Sequence, residues 1–121
     1  MAGVMIADDS ESVRLALRDM VEAGKHKVVA ESVDGIDTLE KFDSIKPDVL
    51  LLDVAMPKKD GMETLVEIMK YNPKAKVIMI TAHDDMNLIE KCTKAGALAY
   101  VTKPFNTDDI LQAISYAFEE K

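Results

Sequence analysis

Five times over, this chain sets a short apolar run ahead of a segment with helical periodicity. The runs are Val4 to Ala7, Val28 to Ala30, Val49 to Leu52, Val77 to Ile80 and Leu98 to Val101. Such short apolar runs bounded by polar turns read as strands. Val49 to Leu52 is apolar at every position, too continuous for a strand with one wet face. A strand buried on both faces reads this way. Strand–helix alternation predicts an α/β fold with a parallel sheet and right-handed crossovers.

The helical segments carry their own punctuation. The first puts Val13, Leu17, Met20 and Val21 on one face and stops at the C-terminal cap Gly24. The second opens at the N-cap Asp34, with Ile36, Leu39 and Phe42 as its stripe, and ends before Pro47. The third carries Met62, Leu65, Ile68 and Met69 and ends at Asn72-Pro73. The fourth starts near Asp84, carries Leu88, Ile89 and Cys92, and stops at Gly96. The fifth begins after Asn106-Thr107, with Ile110, Leu111, Ile114 and Phe118 inward.

A length of 121 residues fits one domain, residues 1–121, with its own core. The net charge of −7 argues against nucleic acid or an anionic membrane as the main partner, and suits cation binding. The single cysteine, Cys92, excludes an internal disulfide and points to a reducing cytoplasm. Met1-Ala2-Gly3 lacks the features of a secretory signal, and no apolar run reaches membrane-spanning length.

The residues just past each strand matter most. Asp8 and Asp9 come after the first, Asp53 after the third, Thr81 after the fourth, and Thr102, Lys103 and Pro104 after the fifth. In open α/β sheets the ligand site lies beyond the carboxyl ends of the strands. Glu31 also comes after a strand, but that strand is expected at the sheet's border, away from the site. Three carboxylates at one edge repel, at roughly 3 kcal/mol per pair for ~5 Å and an effective dielectric of about 20. A hard divalent cation relieves this, and Mg²⁺ takes oxygen ligands while leaving room for water and phosphate. Lys103 supplies a mobile positive charge and Thr81 a hydroxyl. Together they form a set for phosphoryl transfer to an aspartate. Taken singly, each has a plainer explanation: an Asp after a strand is a cap or solvated, Thr81 a turn residue, Lys103 a solvated cation. Jointly the plain explanation weakens, because all fall after strands identified without them. Ser10 and Ser12 read as caps, His26 as exposed, and Cys92 as small core filler.

Ile6-Ala7-Asp8-Asp9-Ser10, Leu51-Leu52-Asp53-Val54-Ala55-Met56-Pro57 with Asp60-Gly61, Ile80-Thr81-Ala82, Gly96-Ala97 and Lys103-Pro104-Phe105 together form a specific pattern. In it the chain resembles, over its whole length, the receiver domain of two-component response regulators, and a CheY-like single-domain regulator in particular. The resemblance implies a doubly wound, flavodoxin-like, five-stranded parallel sheet of order 2-1-3-4-5 with five helices. It implies that Asp53 is the phosphoacceptor for a histidine kinase, and that Asp9 ligates Mg²⁺ directly and Asp8 largely through water. The backbone carbonyl of Ala55 is a further implied ligand. Thr81 bonds the phosphoryl group and Lys103 pairs with it, next to a cis peptide before Pro104. Tyr100 matches an aromatic position whose rotamer reports phosphorylation. Ala55 and His83 occupy variable positions that tune phosphoryl lifetime, and small Ala55 leaves attacking water less hindered.

By the same resemblance the chain is a monomeric cytoplasmic regulator with no enzymatic activity beyond its own phosphotransfer and dephosphorylation. Implied partners are a CheA-like kinase, a flagellar motor or adaptor protein on the face of the fourth helix, fifth strand and fifth helix, and a phosphatase. Glu90, Lys91, Lys94, Gln112 and Tyr116 are the expected contacts. The alternatives are a phosphorelay intermediate or a receiver cut from a longer regulator. A haloacid dehalogenase type phosphatase also uses a strand-end Asp and Mg²⁺, but wants a second acid where Ala55 stands. A flavodoxin-like carrier wants a Ser/Thr/Gly-rich phosphate loop where Asp8-Asp9 stand.

Overall fold

The computed structural model describes residues 2–82 and 86–119. Five strands and five helices alternate without exception: β1 (Gly3–Ala7), α1 (Glu11–Ala23), β2 (Lys27–Ser32), α2 (Gly35–Ile45), β3 (Val49–Asp53), α3 (Gly61–Tyr71), β4 (Val77–Thr81), α4 (Met86–Lys94), β5 (Ala99–Thr102) and α5 (Thr107–Glu119). The sheet is parallel, in the order β2-β1-β3-β4-β5. The expected start of α4 at Asp84 and the variable position His83 lie outside the described residues.

The continuous apolar runs find their reason in two cores, one on each face. Along β1, β3 and β4 the side chains alternate between them. Val4, Ile6, Val49, Leu51, Ile78 and Ile80 join Leu17, Val21, Ile110 and Ile114 of α1 and α5. Met5, Ala7, Leu50, Leu52, Val77 and Met79 join Phe42, Leu65, Ile68 and Cys92 of α2, α3 and α4.

Three helix starts are capped as their sequences suggest. Ser10 accepts from the Val13 N–H, Asp34 from Asp37 and Asp60 from Glu63. Two stripe positions are corrected. Ile36 is 49% exposed and Phe118 is 44% exposed. On α2 the buried place goes to Thr38, whose hydroxyl donates to the Asp34 carbonyl at 2.7 Å and shares a 2.6 Å bond with the Ser32 hydroxyl. A polar residue with satisfied hydrogen bonds can replace an apolar one in the stripe. On α5 the small Ala113 and Ala117 pack inward, which turns Phe118 out. His26 is half-buried, and its Nδ1 accepts the Ala2 N–H at 3.0 Å.

Candidate functional site

Register sets the site's geometry. Ala7 on β1 pairs with Leu52 on β3, so Asp8 and Asp53, one residue on, stand at the same height on neighbouring strands. Asp53 in turn pairs with Ile80, and Thr81 with Thr102, which puts Lys103 just past the end of β5. The strands run slightly further than their apolar runs. Asp53 and Thr81 are therefore the last residues of β3 and β4, held by the ladder rather than free in loops.

The three acids converge. Asp8, Asp9 and Asp53 each offer a carboxylate oxygen, and these atoms all lie within 4.8 Å of one another. Asp8 is 1% exposed and Asp53 4%, whereas Asp9 is open to solvent. Asp8 Oδ1 accepts the Ser10 N–H at 2.8 Å. Its Oδ2 is buried without a hydrogen bond. The Lys103 ammonium lies 3.7 Å from that oxygen, within ion-pair reach but beyond hydrogen-bond reach. The same ammonium is 3.4 Å from Asp53 Oδ1. Burial above all, and then repulsion from Asp8, push the Asp53 carboxyl up to about 6 against the pull of Lys103.

Backbone contacts fix this corner. The Val54 N–H donates to the Ile80 carbonyl and the Gly61 N–H to the Val54 carbonyl. A Cβ on Gly61 would fall 2.1 Å from the Asp53 carbonyl oxygen, so only glycine lets α3 start this close to the strand end. Ala55 is exposed in the loop between. Thr81 is buried at 3% exposure, and its carbonyl accepts the Lys103 N–H at 2.8 Å. The Lys103–Pro104 peptide is cis. Tyr100 points outward from β5, 44% exposed, beside an open depression lined by Thr102, Asp109, Gln112 and Ala113.

An orphaned buried carboxylate oxygen beside two more carboxylates is the donor set of a hard cation, and Mg²⁺ fits it. The sequence reading misses one group. Arg14 donates from Nη1 to the Asp8 carbonyl and from Nε to Glu31, so Glu31 reaches the site through it. The only signal in the sequence is the Arg14/Arg18 spacing on one side of α1.

The sequence matches the response regulator receiver domain family over residues 4–115. It is 37% identical to the chemotaxis protein CheY of Listeria monocytogenes, across 97% of this chain and 98% of that protein. It is 35% identical to the transcriptional regulatory protein PdtaR of Mycobacterium tuberculosis, across 94% of this chain but 55% of that longer protein. Its structure superposes with a TM-score of 0.94 and 29% identity on a chain of the CheX–CheY–BeF₃–Mg²⁺ complex from Borrelia burgdorferi, covering 98% of this chain and 90% of that one.

Proposed function

The chain belongs to the response regulator receiver domain family, and from that premise we propose that it is a phosphoryl-operated switch with Asp53 as the acceptor. It is a CheY-like receiver of two-component systems. The observation that carries the proposal is the setting of Asp53. Its carboxylate is buried at a strand's end, 3.4 Å from the Lys103 ammonium and flanked by two further acids.

In the proposed step an Asp53 carboxylate oxygen attacks the phosphorus of a kinase phosphohistidine. The new P–O bond forms as the P–N bond breaks, and the imidazole nitrogen leaves with the electron pair and takes a proton from water. Lys103 pairs with the phosphoryl oxygens, and the Thr81 hydroxyl donates to one of them. Mg²⁺ held by Asp8, Asp9, Asp53 and the Ala55 carbonyl would neutralise charge on the carboxylates and the phosphoryl group. Water later attacks the phosphorus, the P–O bond to Asp53 breaks, inorganic phosphate leaves and the Asp53 carboxylate is restored; the small Ala55 side chain leaves that approach open. The phosphoryl group passes only onto the protein's own aspartate, so the protein is a regulator that modifies itself rather than an enzyme acting on other molecules.

The output rests on packing. Asp53 and Thr81 share one corner with β5, and Tyr100 stands three residues before Lys103 on that strand. Drawing Thr81 toward the phosphoryl group lets the Tyr100 ring turn inward and reshapes the face of α4, β5 and α5. Glu90, Lys91, Lys94, Gln112 and Tyr116 would meet the partner there. A CheA-like kinase upstream, a motor or adaptor protein downstream and a phosphatase are the partners that the CheY likeness supports. The likeness to PdtaR supports a second reading, a receiver serving a longer regulator. A cytoplasmic location is consistent with the buried free thiol of Cys92. Among the described residues no helix is long and apolar enough to cross a membrane.

Acetyl phosphate with Mg²⁺ should add one acid-stable, alkali-labile phosphoryl group, visible by intact mass spectrometry. Asp53→Asn should lose it entirely. Equal labelling of that variant would refute Asp53 as the nucleophile.

A further inference from the structure

Asp8 and Asp9 sit on one short turn, where their mutual repulsion and that of Asp53 favour splaying apart. Something must hold that turn. The Asp8 N–H donates to the Ser32 carbonyl of β2 at 3.1 Å. Its carbonyl accepts Arg14 Nη1 at 2.8 Å. Arg14 Nε donates in turn to Glu31 Oε1 at 3.2 Å, and the Arg18 guanidinium, one helical turn further on, pairs with the same carboxylate. The Arg14 side chain is 15% exposed, so this is a packed arrangement rather than a solvated pair.

We infer that Arg14 is a positioning residue for the acid pair: its planar fork spans the Asp8 carbonyl and the Glu31 carboxylate, fixing the β1–α1 turn that delivers Asp8 and Asp9 to the cation-binding edge. The inference rests on the reading of that edge as a Mg²⁺ site. Glu31 and Arg18 act one step further out, holding the fork's angle. A guanidinium suits the task because two of its N–H groups point along fixed, different directions, whereas an ammonium is a single point of charge. Groups that orient metal ligands from outside the ligand set commonly carry a large share of metal affinity.

Charge and geometry predict opposite signs here. As a bare cation beside the acids, Arg14 repels Mg²⁺, so its loss would tighten binding. As a positioner, its loss loosens binding. As a mere structural brace, its loss lowers the metal-free melting temperature and leaves Mg²⁺ affinity alone. Arg14→Lys keeps the charge and removes the fork, which isolates geometry.

The experiment is a calorimetric Mg²⁺ titration of the parent protein, Arg14→Gln, Arg14→Lys and Glu31→Gln, each with a metal-free melting curve. Arg14→Gln should raise the Mg²⁺ Kd roughly tenfold. Arg14→Lys and Glu31→Gln should raise it by smaller factors. If Arg14→Gln fails to fold, Arg14→Lys decides the matter alone. A Kd that stays constant or tightens in the arginine variants overturns the inference, whatever the melting temperature does. A parent protein that takes up no Mg²⁺ overturns the reading of the acidic edge itself, and this inference with it.

Discussion

The two edges of one sheet treat their polar side chains in opposite ways. At the amino-terminal edge, Asp48 Oδ2 accepts the Gly3 N–H at 2.7 Å and His26 Nδ1 accepts the Ala2 N–H at 3.0 Å. Each satisfies a backbone donor at the start of β1. At the carboxyl edge three carboxylates crowd within 4.8 Å, one buried oxygen goes without a hydrogen bond, and Asp53 is held near 6. Satisfied polar groups support the fold; buried like charges oppose it and persist where a ligand needs them. The first edge anchors the chain. The second gives up stability in the metal-free state, as the proposed role toward a cation and a phosphoryl group requires.

The largest expected effect that sharpens this contrast is a pH dependence. The Asp53 carboxyl stands at about 6 in the folded chain against an ordinary 3.8. Between those values the folded chain holds a proton that the unfolded chain has released. Metal-free stability therefore falls as pH rises through this window, by about 3 kcal/mol in all. The loss is absent below the lower value and complete above the upper one. Urea unfolding of the parent and Asp53→Asn at about pH 4.5 and about pH 7 checks it. The variant should lack this component and be the more stable of the two near neutrality.

The next effect pits one carboxylate from each edge against the other. Asp48→Ala should cost about 1 kcal/mol and leave Mg²⁺ binding unchanged, because it removes only a backbone hydrogen bond. Asp9→Ala should do the reverse, abolishing stabilisation by Mg²⁺ while raising the metal-free melting temperature through lost repulsion. Melting curves of both variants with and without Mg²⁺ would show whether the edges divide labour in this way.

The smallest effect belongs to His26, whose pKa is lowered by burial and then by the chain's amino terminus. Protonated, its Nδ1 can no longer accept from Ala2. Its contribution is present when neutral and is lost as pH falls from 6.5 toward the folded value, opposite in sign to the Asp53 slope. His26→Ala should flatten that component in the same unfolding series.

Much of this molecule is legible in its sequence, for identifiable reasons. Runs such as Val49–Leu52 announce doubly buried strands because nothing in them tolerates water. The gathering of Asp8, Asp53, Thr81 and Lys103 is a consequence of parallel strands ending on one edge. The strand order comes from the resemblance to receiver domains, since periodicity says nothing about which strands neighbour one another. Counting apolar residues misplaces Ile36 because it cannot foresee that Thr38, with its hydroxyl satisfied by Asp34 and Ser32, takes a buried place, and misplaces Phe118 because the small Ala113 and Ala117 take the inward face of α5. The Arg14–Glu31 contact is equally hidden. Its partners are 17 residues apart on different elements, and only the packing of α1 beside β2 brings them together.

Amide NMR of the full chain before and after adding beryllofluoride with Mg²⁺ tests the central claim most directly, because this complex mimics a phosphoryl group without hydrolysing. The account predicts large shifts at Asp8, Asp9, Asp53, Thr81 and Lys103, spreading through Tyr100 to α4 and α5, while Gly3, His26 and Asp48 at the opposite edge stay in place. A spectrum unchanged at the carboxyl edge, or one that moves equally at both edges, would contradict it.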